Sequence, residues 1–240
     1  MKKQKTIAVA IDPTFPAKRH HEVMGGIQDY AEAYHSLTKS GGGGWFLVND
    51  LFPEVAIERY DGVIGRMTKD LARATTKAGI PAVNTWFSSP MADEVPGVLP
   101  HLAESARMAA DHLIARGFKS FAYAGFANKA DRVIRDAFTL HLREAGFSCR
   151  SVIASDHVDT RETWVRFSRR LENWLESWRA DLPVGVFSRI DAVCHHLLTL
   201  CKNKGISVPH DVALVSGNNE PAFCLLARPT ITSIDYGYKR

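Results

Sequence analysis

No stretch of the 240-residue chain approaches the roughly 18 unbroken apolar residues that a membrane-spanning helix needs. The N-terminus, MKKQKTIAVAID, opens basic, but its apolar run is too short for a signal-peptide core and ends in a turn at Asp12 and Pro13. It reads as the first strand of a cytoplasmic protein with no membrane partner. Cysteine is scarce: Cys149, Cys194, Cys201 and Cys224 form no CxxC pair, which excludes the dense disulfide framework of small secreted domains. Cys194 and Cys201, seven apart, fall on one helix face, so all four read as reduced and mostly buried thiols.

Enzyme signatures are missing as well. There is no GxSxG elbow, no HExxH, no GxGxxG and no Walker sequence. The run SGGGG at Ser40 to Gly44 continues into Trp45 and Phe46, not into the Lys and Ser or Thr of a phosphate loop, and it reads as a flexible connection. Adjacent histidines, His20 with His21 and His195 with His196, point about 100° apart on a helix and do not share an ion, so neither a metal nor a cofactor is expected. The formal charge of +4 is carried by Lys and Arg scattered along the chain, which gives no nucleic-acid footprint.

What the chain does have is alternation. Short β-branched or apolar runs begin at Thr6, Trp45, Gly62, Pro81, Phe121, Ser151, Val184 and Val212, separated by helical periodicity over about His21–His35, Lys69–Ala78, Leu102–Arg116, Arg132–Ala145, Thr163–Ser177 and Ala192–Lys204. Gly79, Gly117, Gly146 and Gly205 close four of these helices. The pattern predicts an α/β protein built from parallel sheets with crossover helices. Within TRETWVRFSRRLENWLESWRA, the residues Trp164, Phe167, Leu171, Trp174, Leu175 and Trp178 form one stripe, and Asp159 with Glu162 a capping-box-like start. This predicts a crossover helix packed on a sheet, not a membrane-surface helix. The βα rhythm restarts after Gly117, where a lobe boundary is expected.

Open parallel sheets bind ligands at the carboxyl ends of their strands, and those positions are polar here. Asp12 follows the first strand, Arg66 follows GVIG, Asn84, Thr85 and Trp86 follow PAV, Ser188 and Arg189 follow VGVF, and Asn218, Asn219 and Glu220 follow VALVSG. Carboxylates, amides and guanidinium groups hydrogen-bond paired hydroxyls, and an indole face stacks on the CH surface of a pyranose, so the set suits a sugar. Each residue taken alone also fits turn chemistry or helix capping, Asp12 before Pro13 most of all.

Several segments resemble the effector-binding domain of the LacI/GalR regulators, whose fold is that of periplasmic sugar-binding proteins. They are YDGVIGRM, KAGIPAVNTW, SARMAADHLIARGFKSFAYAG, IRDAFTLHLREAGF and, most specifically, VGVFSRIDAVCHHLLTLCKNKGISVPHDVALVSGNNEPAF. SRIDAV and GNNE most resemble xylose operon regulators, which carry this domain ahead of an AraC-type DNA-binding domain. The resemblance implies a two-lobed fold, each lobe a parallel sheet flanked by helices. It puts one lobe at 5–117 with a return segment 230–240 and the other at 118–229. It also implies a sugar effector, D-xylose or another pentose, held between the lobes, a homodimer, and operator DNA read by a domain not in this chain. The candidate ligand-binding residues are Asp12, Arg66, Trp86, Arg132, Arg135, Arg189, Asn218, Asn219 and Asp235. Arg132 and Arg135 flank the position of the family's ligand-contacting Arg, which Ile134 occupies; Arg189 and Asn218 stand where the family has Asp, implying an untypical ligand. The chain ends at Arg240, where the family continues, so a fragment of a longer regulator is expected.

Two other classes fit an α/β scaffold. A sugar isomerase or hydrolase would draw acid and base from Asp12, Asp191, Glu220 and Asp235, and a transport-type binding protein would share the fold.

Overall fold

The computed structural model describes residues 4–14, 18–37, 44–154 and 160–239. Of the run Ser40 to Gly44, residues 40–43 lie outside them. The described residues fall into two compact units, one within Met1–Pro100 and Gly237–Arg240, the other within His101–Tyr236.

In the first unit β1 (Lys5–Ala10), α1 (Lys18–Leu37), β2 (Trp45–Asn49), β3 (Gly62–Gly65), α2 (Lys69–Ala78) and β4 (Ala82–Asn84) build a four-stranded parallel sheet of order β2-β1-β3-β4. A 3-10 segment, Pro53–Arg59, which the periodicity does not predict, precedes β3. Ala8, Ala10, Val63, Met67 and Leu71 form the centre of the core, with Tyr60 closing it. Thr68 caps α2 by accepting from the Leu71 N–H, and Gly79 ends it at φ 67°.

In the second unit α3 (Leu102–Ala115), β5 (Ser120–Phe126), α4 (Lys129–Glu144), β6 (Cys149–Ala154), α5 (Arg161–Glu176), β7 (Val184–Ser188), α6 (Asp191–Asn203), β8 (Val212–Ser216), α7 (Pro221–Cys224) and β9 (Thr232–Ser233) give a five-stranded parallel sheet of order β6-β5-β7-β8-β9. Every residue of β7 and β8 is buried, as central strands covered on both faces must be. The α5 stripe packs into the core as expected: Phe167, Leu171, Leu175 and Trp178 are buried, with Trp164 and Trp174 partly so. The cap of α5 differs from the expectation. Thr160 and Thr163 close a reciprocal capping box, while Asp159 lies outside the described residues.

The boundary also falls earlier than residue 117. α3 packs on α4, and Leu113 presses against Gly185, where an added Cβ would sit 3.0 Å from both Leu methyl carbons, so residues 101–117 belong with the second unit. Likewise β9 extends the second sheet beside β8, and within 230–240 only Gly237–Arg240 belongs with the first unit.

Gly65 sets the spacing of the first sheet. It pairs with Ala10 across β1 and β3, and a Cβ there would collide with the Ala10 carbonyl and lie 2.7 Å from its carbon. Gly65→Ala is expected to cost about 1–3 kcal/mol, the usual penalty of forcing a methyl group into packed backbone. A lowered urea midpoint with an unchanged m-value would report it; an unchanged midpoint would contradict it.

Candidate functional site

In a parallel sheet, ligands bind beyond the strand carboxyl ends where the strand order reverses. The orders place that switch between β1 and β3 in the first unit and between β5 and β7 in the second. The residue immediately after β3 is Arg66 and the residue immediately after β7 is Arg189.

In the first unit a buried amide organises the strand ends. Asn84, 0 % exposed, accepts from the Met67 and Trp86 N–H groups at 3.3 and 3.0 Å and donates to the Trp86 carbonyl at 3.0 Å. Arg66 N–H donates to the Ala10 carbonyl and Thr85 N–H to the Gly65 carbonyl. These bonds bring Arg66 onto Trp86, with the guanidinium carbon 4.4 Å from the ring centroid. Both side chains are half-buried and line a recess together with Ile11, Arg19, His20 and Tyr238. Asp12 stands next to it. One of its carboxylate oxygens accepts from the Thr14 N–H and hydroxyl at 2.8 and 2.7 Å, the turn chemistry of an Asx motif. His20 is 6 % exposed, and its Nδ1 lies 3.1 Å from the Asp12 carbonyl. Sequence reasoning named neither His20 nor Arg19 as a site residue, although His20 follows Asp12 by eight residues at the start of the next helix.

In the second unit Arg189 forks onto Asp131, Nη2 to Oδ2 at 2.8 Å and Nε to the same oxygen at 3.3 Å. Asp131 is 1 % exposed and also accepts from the Tyr123 hydroxyl at 2.6 Å and the Asn128 amide at 2.7 Å. Gly125 leaves room for that pair, since a Cβ there would lie 2.6 Å from the Asp131 carboxylate. Burial pulls the Arg189 guanidinium down, and the Asp131 carboxylate more than offsets it, leaving the group above its ordinary value.

The loop after β8 is held by a second buried carboxylate. Asp191, 2 % exposed at the start of α6, accepts from the Ser216 hydroxyl, the Asn218 N–H at 3.0 Å and the Glu220 N–H at 2.7 Å. Asn219 adopts a left-handed φ of 55° and donates its N–H to Ser233. Gly217 allows close approach to the Arg189 backbone, where a Cβ would meet the carbonyl oxygen at 2.7 Å. Arg189, Asn218 and Asn219 are therefore gathered on one sheet end. Arg132 and Arg135 are not joined to them. Asp131, Ile134 and Phe138 face inward, which turns Arg132 out to solvent and leaves Arg135 paired with Asp136 at 2.7 Å. Asp235 is exposed.

Three histidines link this architecture to pH. Burial holds His20, His112 and His196 below the ordinary imidazole value, with nearby positive charge (Arg19 and Arg66, Arg116, and His195 respectively) acting in the same direction. The unfolded chain takes up these protons first, near pH 6.5, so their contribution is complete above that value and lost as pH falls through the lower folded values. The melting temperature is expected to drop between about pH 7.5 and 5.5 and to drop less in His196→Gln. A flat profile in wild type would contradict this.

Residues 110–240 match the family described as periplasmic binding protein-like domain. The chain is 27 % identical over 166 residues to the xylose operon regulatory protein of Haemophilus influenzae, covering 66 % of this chain and 42 % of that protein. It is 23 % identical to catabolite control protein A of Staphylococcus xylosus over 245 residues, 97 % of this chain and 70 % of that protein. Among solved structures, a xylose-binding transcription activator, xylR, superposes with a TM-score of 0.75 at 20 % identity, over 99 % of this chain and 62 % of that one. The chain thus spans less than two thirds of the xylose regulators it matches. Two parallel sheets with covering helices and a family match across more than half the sequence agree: the chain belongs to the periplasmic binding protein-like domains.

Proposed function

We propose that this chain is the sugar-sensing part of a cytoplasmic bacterial transcription regulator, binding a pentose such as D-xylose without altering it. Operator DNA is read by a domain outside this chain, and the regulator works as a homodimer whose balance of conformations the sugar shifts. The observation that carries the reading is the guanidinium of Arg66 lying over the Trp86 ring at the switch point of an all-parallel sheet. It pairs a donor fork for hydroxyls with an aromatic face for ring CH groups. Similarity to a xylose operon regulatory protein and to a xylose-binding activator supports the choice of sugar. Asn218 and Asn219 are assigned as further contacts, while Arg189 is held by Asp131 and would meet ligand only with its remaining donors.

A thermal-shift series with D-xylose, other pentoses and hexoses tests this. A ligand that binds only the folded state adds about 2.7 kcal/mol at a hundredfold excess over Kd. The melting temperature is expected to rise with a pentose in wild type and to rise less in Trp86→Ala and Asn218→Ala. No shift with any carbohydrate, from protein that still melts cooperatively, would sink the reading.

A further inference from the structure

Ligand positions in a parallel sheet lie beyond the carboxyl ends of its strands, so a cavity at the opposite ends needs its own account. The second unit has such a cavity, enclosing about 440 Å3. Small-molecule sites run from roughly 300 to 1,000 Å3. Phe118, Pro183 and Pro209, which stand shortly before β5, β7 and β8, place it at the amino ends of the strands. Leu113, Val215 and Ile231 are buried and give it an apolar wall. Arg116, at the carboxyl end of α3, donates Nη1 to the His112 carbonyl at 3.3 Å. Among the described residues its guanidinium has no other hydrogen bond and no ion pair, and the His112 and His210 imidazoles have no hydrogen-bond partner. No Asp or Glu lines the cavity. The acids adjacent in sequence are engaged elsewhere, Asp111 with Arg107 and His141, Asp211 with the Ser207 N–H. Burial, and after it the charge of Arg116, hold the His112 imidazole below its ordinary value, so it is neutral at pH 7 and Arg116 is the permanent charge of the lining.

We propose that this cavity binds a small organic acid, its apolar body against Leu113, Val215 and Ile231 and its carboxylate on Arg116, with His112 and His210 as further polar contacts. A guanidinium gives a carboxylate two parallel charge-assisted bonds. One permanent cation matches a monoanion, whereas a phosphate brings about −1.5 to −2 charges. The apolar wall disfavours a sugar, whose hydroxyls laid against it would lose their water without finding partners. The site is independent of the carbohydrate reading above, because it lies at the other end of the same sheet from Arg189 and Asn218.

Calorimetric titration of the full chain with phenylacetate and octanoate, each beside its neutral amide, tests the proposal. At least one carboxylate is expected to bind about threefold to tenfold tighter than its amide, with a margin that shrinks as salt rises. Arg116→Gln, at an exposed position, is expected to bring acid and amide to equal affinity, while Arg143→Gln, exposed on α4 and outside the cavity, leaves the preference as in wild type. Thr230→Trp places an indole at an exposed position of the lining and is expected to weaken acid and amide alike in protein that still melts cooperatively. Failure of both carboxylates to bind at millimolar concentration, or amides that bind as tightly as the acids, would overturn the proposal. So would a full preference retained by Arg116→Gln, or wild-type binding by Thr230→Trp.

Discussion

Asp191→Ala is expected to lower the unfolding free energy by about 3–5 kcal/mol, a large share of the stability of an ordinary domain. The carboxylate accepts from one hydroxyl and two backbone N–H groups of the loop after β8, so its removal orphans three donors at once. Each buried donor left without a partner costs about 1–3 kcal/mol, and solvent reaching the half-buried end of the loop reduces the sum. Urea denaturation read by circular dichroism would measure it. Asp191→Asn keeps one acceptor oxygen and is expected to lose less than Asp191→Ala. Equal stability of Asp191→Ala and wild type would show that the loop is not held in this way. The same geometry bears on the enzyme alternative: a carboxylate with three intramolecular donors is occupied as a loop anchor, and acid-base work would require breaking that arrangement.

The second large effect is expected at Arg189. Arg189→Ala leaves the Asp131 carboxylate buried without its counter-charge, and breaking a buried pair from one side costs about 3–5 kcal/mol. The double variant Arg189→Ala with Asp131→Asn removes the orphaned charge while keeping an acceptor for Tyr123. It is expected to recover more than half of the loss, and the coupling energy of the cycle isolates the pair. A double variant as unstable as the sum of the two single changes would mean that the two side chains contribute separately.

Much of this fold was legible because its signals are local. Eight of the strands begin within two residues of the apolar runs that announce them. Gly79, Gly117, Gly146 and Gly205 all adopt positive φ where helices end. β9 was not legible: it is two residues long and exists through its pairing with β8, which no run of sequence reports. Where the described residues divide into units was not legible for a related reason. A pause in the βα rhythm at Gly117 marks the end of a helix, but which sheet that helix covers is decided by partners distant in sequence, such as Gly185 for Leu113.

Site residues divide the same way. That Arg66, Trp86, Arg189 and Asn218 stand at or just beyond strand ends was visible in the sequence, and the carboxyl ends of parallel strands are where ligand positions are expected. Asp131 was not, since its role comes from Arg189 across 58 residues. Arg132 and Arg135 were drawn in by their closeness to Ile134. Asp131, Ile134 and Phe138, spaced three and four apart, take the inward face, which leaves Arg132 exposed and Arg135 beside Asp136.

The measurement that reaches the central claim most directly is proton NMR of D-xylose and related pentoses mixed with this chain. Saturation transfer from protein to one of them, with its spectrum unchanged after prolonged incubation, is the predicted result. No transfer to any of them, or the growth of product resonances from the one that binds, would contradict a sensor that holds its sugar without chemistry.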